Sequence, residues 1–343
     1  MKMKEKAVFF NRDKAVIERV YDGNLDVSEK LKNELEFPHE IIDLNNIEKF
    51  RDFTNECKYI FTTWNMINLS RADINKYFNK CEVIFYGAGS VQYFARNYLE
   101  NGIKITSAWV QNGVAVAEFT VSQILLANKG YFNVAGKTKK PDDWWNLNRE
   151  NGKNHKGNYN IKTGILGAGT IGKRVISYLQ KLGVKTDILV YDPYFSEESA
   201  KAMNVKKASL EEIFSTCEII SNHVANLPST VGMIDKTHFA LMQDYTTFIN
   251  TGRGAQIIES DMIDALKNNP TIMALLDVVE PEPPNPDSEL YNMPNVILTP
   301  HIAGVFGNEV YRMSDCMYEE FKLYENEKRL DFEVTLEMLE YMA

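Results

Sequence analysis

The chain has little of what would mark a secreted, metal-binding or nucleic-acid-binding protein. Its 343 residues include only four cysteines: Cys57, Cys81, Cys217 and Cys316. They lie far apart with no metal-ligand spacing. That argues against a disulfide scaffold or a metal site and points to reduced structural thiols in a cytoplasmic protein. No block of basic residues exists. The richest run, Lys137–Lys140, reads as a solvated turn, and the net charge of −9 speaks against a nucleic-acid partner. No apolar run approaches the ~18 residues needed to span a bilayer. The N-terminal stretch MKMKEKAVFF is basic but has no apolar segment of secretory length, so neither a membrane nor a secreted location is expected. Internal repeats and low-complexity segments are also lacking.

What the chain does have is alternation. Its length suggests two domains of ordinary size. In the first hundred residues, short apolar runs at Lys6–Phe10, Tyr59–Thr62, Val83–Tyr86 and Lys104–Thr106 read as strands, and Asp26–Glu36 reads as a helix. This is α/β patterning with a parallel sheet. Residues 114–132 (VAVAEFTVSQILLANKGYF) are apolar on nearly every helical face, as in a helix buried at a domain or subunit interface. Trp144 and Trp145 follow in what reads as a polar loop, packed either across that interface or within the chain. Further strands are expected at 161–166, 188–191, 218–221, 248–250, 273–277 and 296–298. The proline-rich stretch Glu280–Pro286 reads as a rigid loop. A long helix at Asn308–Glu325 then returns the chain to its first domain. The expectation is α/β, two Rossmann-like domains with parallel sheets: one discontinuous domain of residues 1–113 and 308–343, and a second, 114–307, inserted into it.

The most specific stretch is 163–192, TGILGAGTIGKRVISYLQKLGVKTDILVYD. A short apolar run through Ile165 and Leu166 leads into Gly167, Gly169 and Gly172, spaced GxGxxG. Val175, Ile176, Leu179 and Leu182 then recur at helical spacing, Gly183 ends the helix, and Ile188–Tyr191 reads as a second strand. Asp192 lies twenty residues after the last glycine. Gly167 permits the tight turn, Gly169 lets a pyrophosphate approach the backbone, and Gly172 lets helix and strand pack closely. Thr170 and Ile171 open the helix whose N-terminus would face the phosphates. Asp192 would accept hydrogen bonds from both ribose hydroxyls and repel a 2′-phosphate, which favours NAD over NADP.

Three later segments end strands of the same rhythm. Asn250-Thr251-Gly252-Arg253-Gly254 delivers a guanidinium, which can hold a carboxylate through two parallel hydrogen bonds. Asp277-Val278-Val279-Glu280-Pro281-Glu282-Pro283 supplies carboxylates. Thr299-Pro300-His301-Ile302-Ala303-Gly304 supplies an imidazole, which suits proton transfer in either direction near neutral pH.

These pieces in this order resemble the D-isomer specific 2-hydroxyacid dehydrogenase family: GAGTIG at 167–172, YDPY at 191–194, NTGRG at 250–254, LDVVEPEP at 276–283 and TPHIAG at 299–304. The resemblance implies a flavodoxin-like substrate domain (1–113 and 308–343) and an NAD-binding Rossmann domain (114–307). It also implies hydride transfer between NAD and a small 2-hydroxy or 2-oxo acid, with no resident metal, and a homodimer. By position, Arg253 would bind the substrate carboxylate and polarise its 2-oxo group. His301 would be the acid/base, and Glu282, rather than Glu280, its partner. Asp277 would hydrogen-bond the nicotinamide carboxamide. His223 and Thr251 would lie beside the cofactor, His223 as a packing residue. The backbone N–H groups of Ala88, Gly89 and Ser90 would hold the other side of the carboxylate. Two loops depart from the pattern or crowd the substrate. After Gly89 the chain reads Ser-Val-Gln-Tyr where the family has an aromatic-Asp-Asn pattern, and Trp64-Asn65-Met66 would restrict the substrate side chain if it faces the cleft. The short tail after the last helix leaves no expected room for a regulatory domain. Phosphite oxidation on the same fold, or NAD sensing by a corepressor-like binding protein, are the alternatives.

Overall fold

Apolar runs that alternate with amphipathic ones give strands joined by crossover helices, and a computed structural model of the chain, describing residues 4–342, is built that way. The strands are β1 (Ala7–Phe9), β2 (Tyr59–Thr62), β3 (Val83–Tyr86), β4 (Lys104–Ser107), β5 (Tyr159–Leu166) and β6 (Lys185–Tyr191), then β7 (Lys206–Lys207), β8 (Ile219–Asn222), β9 (Thr247–Asn250), β10 (Met273–Leu276), β11 (Val296–Leu298) and β12 (Glu333–Val334). Four helices matter below: α1 (Trp109–Ala127), α2 (Pro141–Asn154), α3 (Thr170–Lys181) and α4 (Tyr311–Glu325). Residues 4–112 together with 305–342 form one compact unit; Gly113–Gly304 forms another.

In the first unit the sheet order is β1-β2-β3-β4-β12, with β1 to β4 parallel and β12 antiparallel to β4. Stacked and edge-on rings line its core: Phe61 and Phe85 lie 4.9 Å apart, and Phe85 meets Phe321 of α4 at 5.9 Å. Single bridges, Lys6 to Glu36 and Phe10 to Ile42, flank β1 on the side away from β2. Pro38 sits between them and has no N–H to give, so no continuous ladder forms there.

In the second unit seven parallel strands run in the order β11-β10-β9-β8-β5-β6-β7. The strands are covered on both faces. Leu166, Phe248 and Leu276 join one core cluster, while their neighbours Ile165, Ile249 and Leu275 join the other. Burial on both faces is why these strands read as continuous apolar runs. Chain order reverses direction at β5, between β6 and β8. In such sheets, ligands bind at that switch point, beyond the carboxyl ends of the strands.

Several elements differ from expectation. The helix expected over 26–36 runs Leu25–Glu34, and the apolar helix expected over 114–132 is α1, ending before Gly130, whose φ is +64°. Residues Gly307–Val310 form a 3₁₀ turn ahead of α4. Trp144 and Trp145 stand on α2, not in a loop, and at 62% and 65% exposure they are not packed within the chain. Met66 is buried, 1% exposed, and is therefore a core residue of the first unit. Trp64 is half-buried beneath the guanidinium of Arg19, which lies 5.9 Å from its ring. All four cysteines are buried and unpaired. Among the described residues, no helix is long and apolar enough to cross a membrane.

Candidate active site

The glycine turn begins where β5 stops. Gly167 has φ +88°, and a Cβ there would lie 2.7 Å from the carbonyl oxygen of His223. A Cβ on Gly172 would lie 2.0 Å from the Gly167 oxygen, so α3 can approach the strand only without one. Gly169, at the N-cap of α3, is different: a Cβ there would meet nothing within 4 Å. Two glycines are closed over by protein, and the third opens onto free space at a helix N-terminus. A bound pyrophosphate would require that arrangement of unpaired N–H groups and an approachable backbone. Thr170 and Ile171 form the first turn of α3, with Thr170 exposed and Ile171 half-buried.

The register of β5 against β6, Leu166 opposite Tyr191, brings Asp192 to this turn. Its carboxylate accepts from the Ala168 N–H at 2.7 Å and the Tyr194 N–H at 2.8 Å. The acid is thereby fixed at the mouth of the turn, with lone pairs left for hydroxyl donors.

Behind the turn lies a buried polar chain. The Nε2 of His223 is 2.9 Å from the Ser221 hydroxyl, and its Nδ1 is 3.4 Å from the Thr251 hydroxyl. Thr251 in turn meets Thr120 of α1 at 3.2 Å. Burial holds the ring neutral, with a pKa pushed down to about 3. Thr120 is fully buried on α1, and that buried hydroxyl carries the chain onward.

Arg253 follows β9. Its guanidinium donates to the Gly252 carbonyl at 2.7 Å. Burial lowers its pKa, and the nearby negative charge of Glu282 opposes that shift. The loop is pressed against the next one: a Cβ on Gly254 would lie 2.0 Å from the carbonyl carbon of Val279. Three buried amide side chains, from Asn222, Asn250 and Gln256, surround it. Sequence reading assigns them no role. Their trace is that the apolar strands β8 and β9 both end in asparagine, at paired positions.

Asp277 and His301 are parts of one turn. The Asp277 carboxylate accepts from the Thr299 hydroxyl at 2.6 Å, from the Ile302 N–H at 2.9 Å and from the Ala303 N–H at 2.8 Å. It anchors the loop that bears His301, so the carboxamide role implied by the resemblance falls to one remaining lone pair on Oδ2. His301 sits in the left-handed region, φ +52°, with its N–H bonded to the carbonyls of Asp277 and Thr299. Its Nδ1 lies 2.6 Å from Glu282 Oε1, and both side chains remain partly exposed. Glu282 lies between two cis prolyl bonds, Glu280–Pro281 and Glu282–Pro283. Because the strands are parallel, Arg253, Glu282 and His301 emerge at the sheet edge that also carries the glycine turn. Among the described residues no group of three or more His, Cys, Asp or Glu side chains could hold a metal ion.

In the first unit, Gly87 to Ser90 follow β3. The Ala88 N–H is engaged by the Tyr86 carbonyl at 2.8 Å, while the N–H groups of Gly89 and Ser90 have no acceptor among the described residues. The Ser107 hydroxyl donates to the carbonyls of Ala88 and Gly89, both at 2.8 Å. The loop is therefore held from beneath with two donors free.

Comparison with known proteins adds the following. A family model described as D-isomer specific 2-hydroxyacid dehydrogenase, NAD binding domain, matches residues 121–303. A D-3-phosphoglycerate dehydrogenase of Archaeoglobus fulgidus is 30% identical over 204 residues, 60% of this chain and 37% of that protein. A hydroxypyruvate reductase of Blautia hydrogenotrophica is 32% identical over 213 residues, 60% of this chain and 63% of that protein. The chain thus spans less than two thirds of the length of these relatives. Among solved structures, the D-mandelate dehydrogenase of Rhodotorula graminis aligns with a TM-score of 0.77 at 22% identity, covering 96% of this chain and 97% of that one. A D-lactate dehydrogenase of Lactobacillus jensenii, solved with NAD+, aligns with a TM-score of 0.71 at 22% identity, covering 96% and 99%. The structural likeness extends to the first unit, which the family model does not reach, and it concerns the fold.

Proposed function

Because the chain belongs to the D-isomer specific 2-hydroxyacid dehydrogenase family, we propose that it interconverts a small D-2-hydroxy acid and its 2-oxo acid, with NAD as hydride carrier. The observation that carries this reading is the 2.6 Å contact between His301 Nδ1 and Glu282, at the edge where the glycine turn opens. Glu282 fixes the ring through Nδ1, leaving Nε2 to give a proton to the 2-oxo oxygen or take one from the alcohol. Arg253 holds the carboxylate and offsets negative charge that develops on the reacting oxygen. Gly89 and Ser90 offer further N–H donors to the substrate. Gly167, Gly169, Thr170, Ile171, Gly172 and Asp192 hold the dinucleotide, with Thr251 and His223 packed behind it, and Asp277 positions the histidine loop. When bound, NADH supplies the hydride. The residues 113–304 are the cofactor-binding unit in this proposal, and the remainder is the substrate-binding unit.

Two finer points belong to the same reading. The exposed Trp144 and Trp145 on α2 fit burial against a second copy of the chain, which a mass measurement in solution checks. The four free, buried thiols fit a reducing, cytoplasmic compartment.

The test is NADH oxidation followed by absorbance against glyoxylate, pyruvate, hydroxypyruvate, branched and aromatic 2-oxo acids and phosphohydroxypyruvate. Turnover of one of them establishes the reaction class. Silence across the panel, with NADH still bound and phosphite oxidised in the reverse assay, would replace this reading by phosphite oxidation.

A further inference from the structure

We propose that Asn222, Asn250 and Gln256 form an amide clamp that sets the position of Arg253 and ties it to the wall of the glycine turn. The inference rests on the role proposed above for Arg253.

All three side chains are completely buried. Buried amides are costly unless their donors and acceptors are met, and these are met by one another and by the arginine loop. The Asn222 Nδ2 donates to Asn250 Oδ1 at 3.0 Å and to Gln256 Oε1 at 2.5 Å. Asn250 holds both sides of the turn: its Oδ1 accepts from the Gly252 N–H at 3.0 Å, and its Nδ2 donates to the Arg253 carbonyl at 3.1 Å. Gln256 Oε1 accepts from the Arg253 N–H at 3.3 Å. The backbone N–H and the carbonyl of Arg253 are both bonded to amide side chains. A Cβ on Gly252 would lie 3.0 Å from Gln256 Oε1 and 3.1 Å from Asn222 Nδ2, so the clamp closes directly on the turn.

The other end of the clamp grips Val224. Gln256 Nε2 donates to its carbonyl at 2.6 Å, and its N–H donates to Asn222 Oδ1 at 3.2 Å. Val224 follows His223, and the backbone joining them is what closes over Gly167, whose Cβ would lie 2.7 Å from the His223 oxygen and 2.8 Å from the Val224 nitrogen. One segment thus walls the glycine turn on one side and is bonded to the arginine's clamp on the other. None of the three amides needs to touch a substrate. They are positioning residues that act through Arg253, and they fix its distance from whatever lies against the glycine turn.

The experiment is a double-mutant cycle on the full chain. Gln256→Met keeps the volume and removes both polar ends; Asn222→Ser shortens the far arm. Each is made alone and in an Arg253→Lys background, which keeps a charge but loses the guanidinium fork. For each protein, kcat, KM for the best 2-oxo acid, NADH dissociation constant and melting temperature are measured. Misplacement of a clamping group by about 1 Å costs on the order of 100-fold. The single variants should therefore lose about 10- to 100-fold in kcat/KM, carried by KM, with NADH affinity within about threefold of the parent. In the Arg253→Lys background the same changes should cost less than about threefold, because the group they position is gone. Equal losses in both backgrounds would overturn the inference and make the clamp a folding element only, as would parental KM in both single variants. If Gln256→Met does not fold, the Asn222→Ser pair decides. Parental kcat/KM in Arg253→Lys alone would instead refute the role proposed for Arg253.

Discussion

Gly169 and Gly172 stand three residues apart in the same motif, yet replacing each by alanine should fail in opposite ways. At Gly172 the new Cβ would sit 2.0 Å from the Gly167 oxygen, a backbone atom. Since real Cβ contacts fall no closer than about 3 Å, α3 must move by roughly 1 Å, and overpacking of this kind costs about 1–3 kcal/mol. For a unit of this size that is a drop of roughly 2–12 °C in melting temperature. At Gly169 the new Cβ meets nothing, and the backbone (φ −72°, ψ −162°) is extended and open to any residue. There alanine gains about 0.4–1 kcal/mol through the unfolded state but loses the N-cap preference for glycine, worth about as much, so the free protein should change little in stability. The methyl would instead occupy the space left for the cofactor. A similar overpacking of ~2 kcal/mol against the bound diphosphate is about a 30-fold loss of affinity. Saturation by NADH at a hundred times its dissociation constant should stabilise the parent by about 2.7 kcal/mol, and a 30-fold loss cuts that to about 0.9 kcal/mol. Thermal melts with and without NADH read both effects. An NADH-induced shift in Gly169→Ala as large as the parent's would refute the placement of the dinucleotide over this turn. A fall in its unliganded melting temperature as large as that of Gly172→Ala would refute the reading of Gly169 as open.

Three more outcomes are expected. Asp192→Asn removes the charge and keeps one acceptor oxygen where Ala168 and Tyr194 donate to two, so the ratio of NADH to NADPH kcat/KM should fall at least about 10-fold; an unchanged ratio would mean Asp192 does not face the ribose. Glu282→Gln loosens the hold on the His301 ring, so kcat for oxo-acid reduction should fall at least about 10-fold with NADH affinity unchanged; a parental kcat would break the pair. His223 is held neutral with a pKa of about 3 in the folded chain, against an ordinary 6.5. The unfolded chain therefore binds the extra proton, and stability falls as pH drops below about 6.5 towards 3, by up to about 1.4 kcal/mol per pH unit. Between pH 7 and pH 5 this contributes about 2 kcal/mol, read as the difference in urea stability between the parent and His223→Asn; equal pH slopes would show that the ring titrates normally.

The β5–α3–β6 unit was readable in the sequence because sterics and periodicity speak with one voice there. Only glycine fits at 167 and 172, and Val175, Ile176 and Leu179 recur at helical spacing and are buried. Helix α2 was not, because PDDWWNLNRENGKN has no apolar face to bury and reads as a loop. Its start signals were present in Pro141 and in Asp143, which accepts from the N–H groups of Lys139 and Lys140 at 2.9 and 3.0 Å. The strand fragment at Glu36 and Ile42 was hidden by Pro38. Around the site, Arg253, Glu282 and His301 stood out because their chemistry is distinctive. Asn222 and Gln256 did not, since a buried amide has no signature until its partners are known, and those lie up to 34 residues away in sequence. The hydrogen bonds that draw Asp277 into the histidine turn come from residues 22 to 26 positions further along the chain.

The margins of the two sheets bear on how the chain behaves at high concentration. A sheet with a long bare edge is a template on which another molecule's strand can add. Here the edges give almost nothing to copy. One sheet ends in β12, two residues long, and on its far side in single bridges interrupted by Pro38. The other ends in β11, three residues, and β7, whose two residues are both lysine. An incoming strand would find two or three rungs, a missing donor or a pair of like charges. The longer strands that build the site, β5, β6, β8, β9 and β10, are interior, and β11, which leads to His301, offers only three rungs.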